Sequence, residues 1–170
     1  ITSYSIASKL NYDKIIIISS FSKYWALPGW RVGWILSNEK LTNDLVKLQS
    51  CIFTCAPTSG MEIANKLLKD TLNNKDDIDL TVLDNSREIL EELFINNKWK
   101  IVKNKNRSMY IFPVNENKNY DVESFIETLL ENGLGVISGK AFGYENGIRI
   151  TLPNNKEMLE KMILIIENCI

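Results

Sequence analysis

Apolar residues recur along this chain with two different periods, and the switches between them mark out the elements. Ile15-Ile16-Ile17-Ile18 is an uninterrupted β-branched run bounded by Asp13-Lys14 and Ser19-Ser20. Without polar alternation, such a run predicts a fully buried strand of the parallel type. Pro28-Gly29 marks a turn, and Val32 to Leu36 predicts a second strand. Asn38 followed by Leu41, Leu45 and Leu48 predicts a helix over 39–50 with Asn38 as its cap. Pro57-Thr58-Ser59 precedes a second helix over 60–72, with Ile63, Leu67 and Leu68 on one face. A third, over 78–95, is striped by Val82, Ile89, Leu90, Leu93 and Phe94.

From Trp99 the pattern shortens. Residues 99–102, 109–114, 134–137 and 148–152 predict strands. Residues 121–131 and 155–168 predict helices, the first with Asp121 at its start and Gly133 just past its end. No internal repeat is present. The asparagine- and lysine-rich spots at 73–77, 104–107 and 115–119 read as solvated loops. The expected organisation is an α/β fold in two unequal parts, divided in the stretch 50–60: a strand-bearing part before it and an α+β layer after it.

Composition narrows the chemistry. Of 170 residues, 45% are hydrophobic and 24% charged, which excludes global disorder. A net charge of -1 gives no electrostatic case for nucleic acid or an acidic membrane surface. No stretch approaches the roughly 20 apolar residues that cross a bilayer. Histidine is absent, which excludes Ser-His-Asp and Cys-His catalysis and His-ligated zinc within this chain. Lysine, carboxylates, hydroxyls, thiols or a borrowed cofactor remain. Cys51, Cys55 and Cys169 are too few for a disulfide scaffold, and read as free thiols in a reducing, cytoplasmic setting. The chain opens ITSYSIASKLNYDK, without an initiator methionine or a secretory pattern, and reads as interior sequence.

The candidate chemistry follows the first strand. In open α/β sheets, ligand sites gather beyond the carboxyl ends of strands. Ser20, Ser22 and Lys23 are expected there, with the lysine amine partly desolvated and its pKa lowered. Arg31 follows the Pro28-Gly29 turn, which can bring the chain back. A guanidinium and two hydroxyls beside a reactive amine suit a phosphorylated aldehyde. On the predicted strand 148–152, Arg149 is flanked by Ile148 and Ile150 and so faces away from them, offering a planar fork to a carboxylate. Trp25, Trp30 and Trp34 read as packing for the loop.

The run S-F-S-K-Y-W-A-L-P-G-W-R-V-G-W over 20–34 closely resembles the cofactor-lysine signature of class I/II (fold type I) pyridoxal-phosphate aminotransferases, Ser-x-[SA]-K followed by G-x-R-x-G. The resemblance implies that Lys23 is the Schiff-base lysine, and that Ser20, Ser22 and Arg31 hold the cofactor phosphate. It continues through Cys55-Ala56-Pro57-Thr58 and through the 136–143 and 147–150 stretches, which are similar to the family's C-terminal P-G-x-x-F-G and x-R-[IL] patterns. There it implies that Arg149 grips the substrate α-carboxylate. Residues 1–55 are then the end of a large cofactor-binding domain with parallel-type strands, and 56–170 a small C-terminal domain. Amino-acid and keto-acid substrates and a homodimeric parent follow from the same resemblance.

The family's remaining parts, among them an aspartate on the pyridine nitrogen, lie upstream of the lysine. Asp13 does not fill that place: ten extended residues separate it from Lys23, roughly 30 Å. The chain is therefore expected to be a C-terminal piece of a longer aminotransferase, inactive in isolation. Where one family branch carries an arginine for an acidic side chain, this chain has Cys51, Ile52 and Phe53. The same lysine and phosphate ligands also serve lyase-type enzymes of this fold, and an aminotransferase-like regulatory domain without catalysis is a third reading.

Overall fold

The computed structural model describes residues 9, 14–73, 80–102 and 108–170. The chain divides into two compact units, 1–78 and 79–170. Asp13, Ile78 and the loops at 74–77 and 104–107 lie outside the described residues.

In the first unit, strands β1 (Ile17–Ser20) and β2 (Gly33–Leu36) form an antiparallel pair with Ser20 opposite Gly33. A fully buried, parallel-type strand is not what this pairing gives. Ile16 and Ile18 are exposed while Ile15 and Ile17 are half-buried, because a two-stranded sheet covers its strands on one face only. The α/β class itself stands. Helix α1 (Glu39–Ile52) starts where Asn38 caps it: the Leu41 N–H donates to Asn38 Oδ1 at 2.8 Å. Its apolar stripe has no buried residue. Helix α2 (Thr58–Leu72) buries Gly60 and Ala64. Gly60 has no room for a side chain, since a Cβ there would run into Val32 Cγ2. Phe21, Val32 and Ala64 form the small core, with Trp25, Leu27, Trp34 and Leu67 packed around it. This contact makes α2 part of the first compact unit.

The second unit carries helix α3 (Thr81–Asn96), the strand pair β3 (Trp99–Ile101) and β5 (Pro113–Asn115), helix α4 (Val122–Glu131) and helix α5 (Lys156–Cys169). Strands β4 (Tyr110–Ile111), β7 (Ile148–Thr151) and β6 (Ile137–Ser138) form an antiparallel sheet in the order β4-β7-β6. Asp121 and Asn155 cap α4 and α5 by accepting from Ser124 N and Met158 N. Gly133 follows α4 at φ 87°, a left-handed position that glycine takes without strain. The sheet's inner residues Ile111, Ile148 and Ile150 meet Leu90 and Phe94 of α3, Phe125 and Leu129 of α4, and Leu159 and Ile166 of α5 in one continuous core. Enclosing one such side chain contributes about 1.5–3 kcal/mol, so this core dominates the unit's stability.

Candidate functional site

The loop between β1 and β2 is closed by its backbone. Ser20 pairs with Gly33, the Phe21 N–H donates to Val32 O at 3.1 Å, and the Leu27 N–H donates to Phe21 O at 3.0 Å. Gly33 is required by this approach, because a Cβ would lie 2.7 Å from Ser19 O. Ser20 and Ser22 flank Phe21 on one side of the closure, and Arg31 precedes Val32 on the other. The Ser22 N–H donates to Ser20 Oγ at 3.3 Å, and Arg31 Nη1 donates to Pro28 O at 2.8 Å. That bond curls Arg31 over the Pro28–Trp30 turn and occupies one of its five N–H groups. Ala26 and Arg31 both hold φ 53°, left-handed positions that cost a non-glycine residue about 1 kcal/mol or more each. The loop is thus held in shape by Phe21 and Val32 against local preference.

Lys23 is exposed, at the start of a tight turn in which the Ala26 N–H donates to Lys23 O at 3.0 Å. Burial of the lysine is therefore not provided within its own loop. A side chain emerging from the convex end of a two-stranded hairpin has nothing of that hairpin to bury it. Ser20 and Arg31 are exposed too, and Ser22 half-buried. Ser20, Ser22, Lys23 and Arg31 all belong to this closed loop, with the Arg31 guanidinium turned to Pro28 O; Arg149 belongs to the second unit and is described there.

Arg149 lies on β7, the central strand of the β4-β7-β6 sheet, opposite Ile137. Ile148 and Ile150 are wholly enclosed on the inner face, so Arg149 stands on the outer one, half-buried. Its Cζ lies 4.5 Å from the centre of the Tyr110 ring and 5.2 Å from that of Phe142. Its Nε is buried with no hydrogen-bond partner. A buried donor left unpaired costs about 1–3 kcal/mol, more for a charged group. No salt bridge to Arg149 is present among the described residues. A guanidinium held by rings and lacking a carboxylate is chemically suited to an incoming anion.

The ring of Phe142 is carried on a short turn, Gly139–Phe142, that is fastened at several points. The Gly139 N–H donates to Gly147 O at 2.7 Å and the Tyr144 N–H to Gly139 O at 2.9 Å. A Cβ at Gly139 would collide with the carbonyl oxygens of Tyr144 and Gly147. Ser138 Oγ donates to Glu123 Oε1 at 2.7 Å, and Lys140 Nζ lies 3.3 Å from the same oxygen. The Ser138 hydroxyl first, and Lys140 after it, hold the Glu123 carboxyl below its ordinary range against opposing desolvation and the Asp121 charge. On the other side, Arg87 of α3 donates to the carbonyls of Tyr110 and Ser108, fastening β4.

Tyr110, Phe142 and Glu123 did not emerge as site residues from the sequence. The signal for Tyr110 was there: Ile111 is a core residue, so Tyr110 and Phe112 alternate onto the opposite face. Glu123 gives no such signal, because its partners lie fifteen and seventeen positions away. Among the described residues no cluster of acids and thiols suits a metal ion, and no helix is long and apolar enough to cross a membrane. The concavities beside Lys98, Trp99 and Glu116 do not include Arg149.

The sequence profile of the family described as "Aminotransferase class I and II" matches residues 3–166. The (5-formylfuran-3-yl)methyl phosphate transaminase of Methanocaldococcus jannaschii is 30% identical over 154 residues, covering 89% of this chain and 40% of its own length. The aspartate aminotransferase of Pyrococcus abyssi is 30% identical over 163 residues, covering 93% and 42% respectively. Among solved structures, the aspartate aminotransferase of Thermotoga maritima matches with a TM-score of 0.75 at 27% identity, over 92% of this chain and 40% of that one. The chain thus spans about 40% of the length of the relatives it matches.

Proposed function

Because the chain belongs to the class I and II aminotransferases, we propose that it contributes the cofactor-lysine loop and the carboxylate-binding strand of a pyridoxal-phosphate-dependent enzyme that moves an amino group between an amino acid and an α-keto acid. The observation supporting this reading is the closed β1–β2 loop, whose single backbone closure carries two hydroxyls, a guanidinium and an exposed lysine. That donor set fits a phosphate: Arg31 keeps N–H groups beyond the one on Pro28, and Ser20 and Ser22 supply neutral hydroxyls. When bound, pyridoxal phosphate supplies an aldehyde and an electron-accepting ring.

The chain's own residues then have separate tasks. Ser20, Ser22 and Arg31 anchor the phosphate. The Lys23 amine binds at the aldehyde end and afterwards takes a proton from the substrate carbon and returns it, as general base and then acid. Arg149 holds the substrate carboxylate, which orients the Cα–H bond. Residues 1–55 serve in this reading as the end of the large domain and 56–170 as the small one. A homodimeric parent in a reducing, cytoplasmic compartment completes it, the latter supported by free Cys51, Cys55 and Cys169.

The test uses the full-length enzyme that carries this segment. Borohydride reduction with cofactor should fix a pyridoxyl group on the Lys23 peptide, read by mass spectrometry, and Lys23→Ala should lose it. An unchanged adduct in that variant refutes the assignment. Arg31→Gln should weaken cofactor binding about 10- to 100-fold, the effect of one lost charge-assisted phosphate contact. Amino transfer that proceeds only with a keto-acid acceptor separates a transaminase from a lyase.

A further inference from the structure

We propose that Tyr110 and Phe142 are positioning residues for Arg149: their rings hold the guanidinium in place for the carboxylate. The inference rests on the reading of Arg149 as the carboxylate site and goes beyond it, since it concerns how an arginine without an ion pair is kept in one orientation.

An arginine side chain has many rotamers, and its recognition of a carboxylate depends on presenting a planar fork at a defined angle. A neighbouring Asp or Glu would orient it but would also compete for the anion. Here the orienting groups are π-faces, which attract the cation without occupying its N–H groups. Cζ lies 4.5 Å from the Tyr110 ring and 5.2 Å from the Phe142 ring, distances within the range of effective attraction.

Both rings are themselves fixed. Tyr110 is opposite Thr151 in β4–β7 pairing, and its carbonyl accepts from Arg87 Nη1 at 3.0 Å. Phe142 sits edge-on to Phe112 with ring centres 5.8 Å apart, on the turn tied by Glu123 to Ser138 and Lys140. The buried, unpartnered Nε of Arg149 agrees with this design. That nitrogen is closed to water and has no hydrogen-bond partner, a loss that an orientation role offsets.

The experiment measures the full-length enzyme in two ways: steady-state kinetics with the amino donor, and the Kd of 3-phenylpropanoate, an unreactive monocarboxylate. Phe142→Leu and Tyr110→Leu should each raise KM and Kd about five- to tenfold while kcat stays within about twofold. Phe142→Trp and Tyr110→Phe, which keep a π-face, should restore both. Tyr144→Leu, a half-exposed aromatic of the same neighbourhood that does not face Arg149, should change neither. Arg149→Met separates the two layers of the claim. If it leaves the Kd unchanged, Arg149 is not the carboxylate site and the positioning role falls with it. If it weakens binding but the leucine variants do not, or if they lower kcat at unchanged KM, the positioning role alone is overturned. An equal effect of Tyr144→Leu overturns it as well, since the loss would then be general to the turn.

Discussion

The two compact units bury their apolar residues to very different degrees. In 79–170, one core runs unbroken from Leu90 to Ile166 and encloses residues from three helices and the sheet. In 1–78 only Phe21, Val32 and Ala64 are buried hydrophobics among the described residues, although the apolar residues are just as regularly spaced. Ile18 is 74% exposed, and Leu48, Ile52 and Phe53 of the α1 region stand in the open. Periodicity therefore reports which face is meant to be covered, while burial depends on whether a covering layer is present. Among the described residues, the second unit has helices against its sheet, whereas in the first Ile16 and Ile18 of the isoleucine run stay exposed. Even so, the first unit carries the strained, closed loop with Lys23, and the second the fastened Arg149.

The largest test of this contrast is a pair of truncations. Phe94→Ala removes a wholly enclosed ring and should cost about 3–5 kcal/mol in denaturant unfolding, whereas Leu48→Ala on α1 should fall within about 0.5 kcal/mol. Comparable losses would mean that the first unit is packed as tightly as the second. A smaller effect is expected from Gly60→Ala, whose Cβ meets Val32 inside the small core. Overpacking there should cost about 1–3 kcal/mol and lower the melting temperature; a neutral result would show that even this contact yields.

The smallest concerns Glu123. Its folded carboxyl is held below the ordinary value of 4.5, so its contribution is full above that pH and is lost as pH falls through the depressed value. Ser138 and Lys140 face it favourably and Asp121 opposes. The melting-temperature gap between the native chain and Glu123→Gln should hold at neutral pH and close on acidification. A gap that persists in acid would mean that shape, and not charge, ties the Phe142 turn.

Much of this was legible in the residues. Asn38, Asp121, Asn155 and Gly133 mark helix ends because capping is a local matter of one side chain and the next turn of backbone. The isoleucine run shows the converse. Four β-branched residues declare a strand, but parallel or antiparallel pairing, and cover on one face or two, depend on the partner strand and its layers. Likewise the loop sequence names Ser20, Ser22, Lys23 and Arg31 but says nothing of how exposed the lysine is.

The amino-acid order by itself determined the helix starts at Asn38, Asp121 and Asn155 and the chemical types at positions 20, 22, 23, 31 and 149, because these depend on neighbours along the chain; it did not determine that the strand expected over 109–114 divides between two sheets. Tertiary structure alone decided that Tyr110 and Phe142 meet Arg149 and that Glu123 reaches Ser138 and Lys140. Those encounters follow from strand register and helix packing across tens of residues, and no spacing within a single segment encodes them.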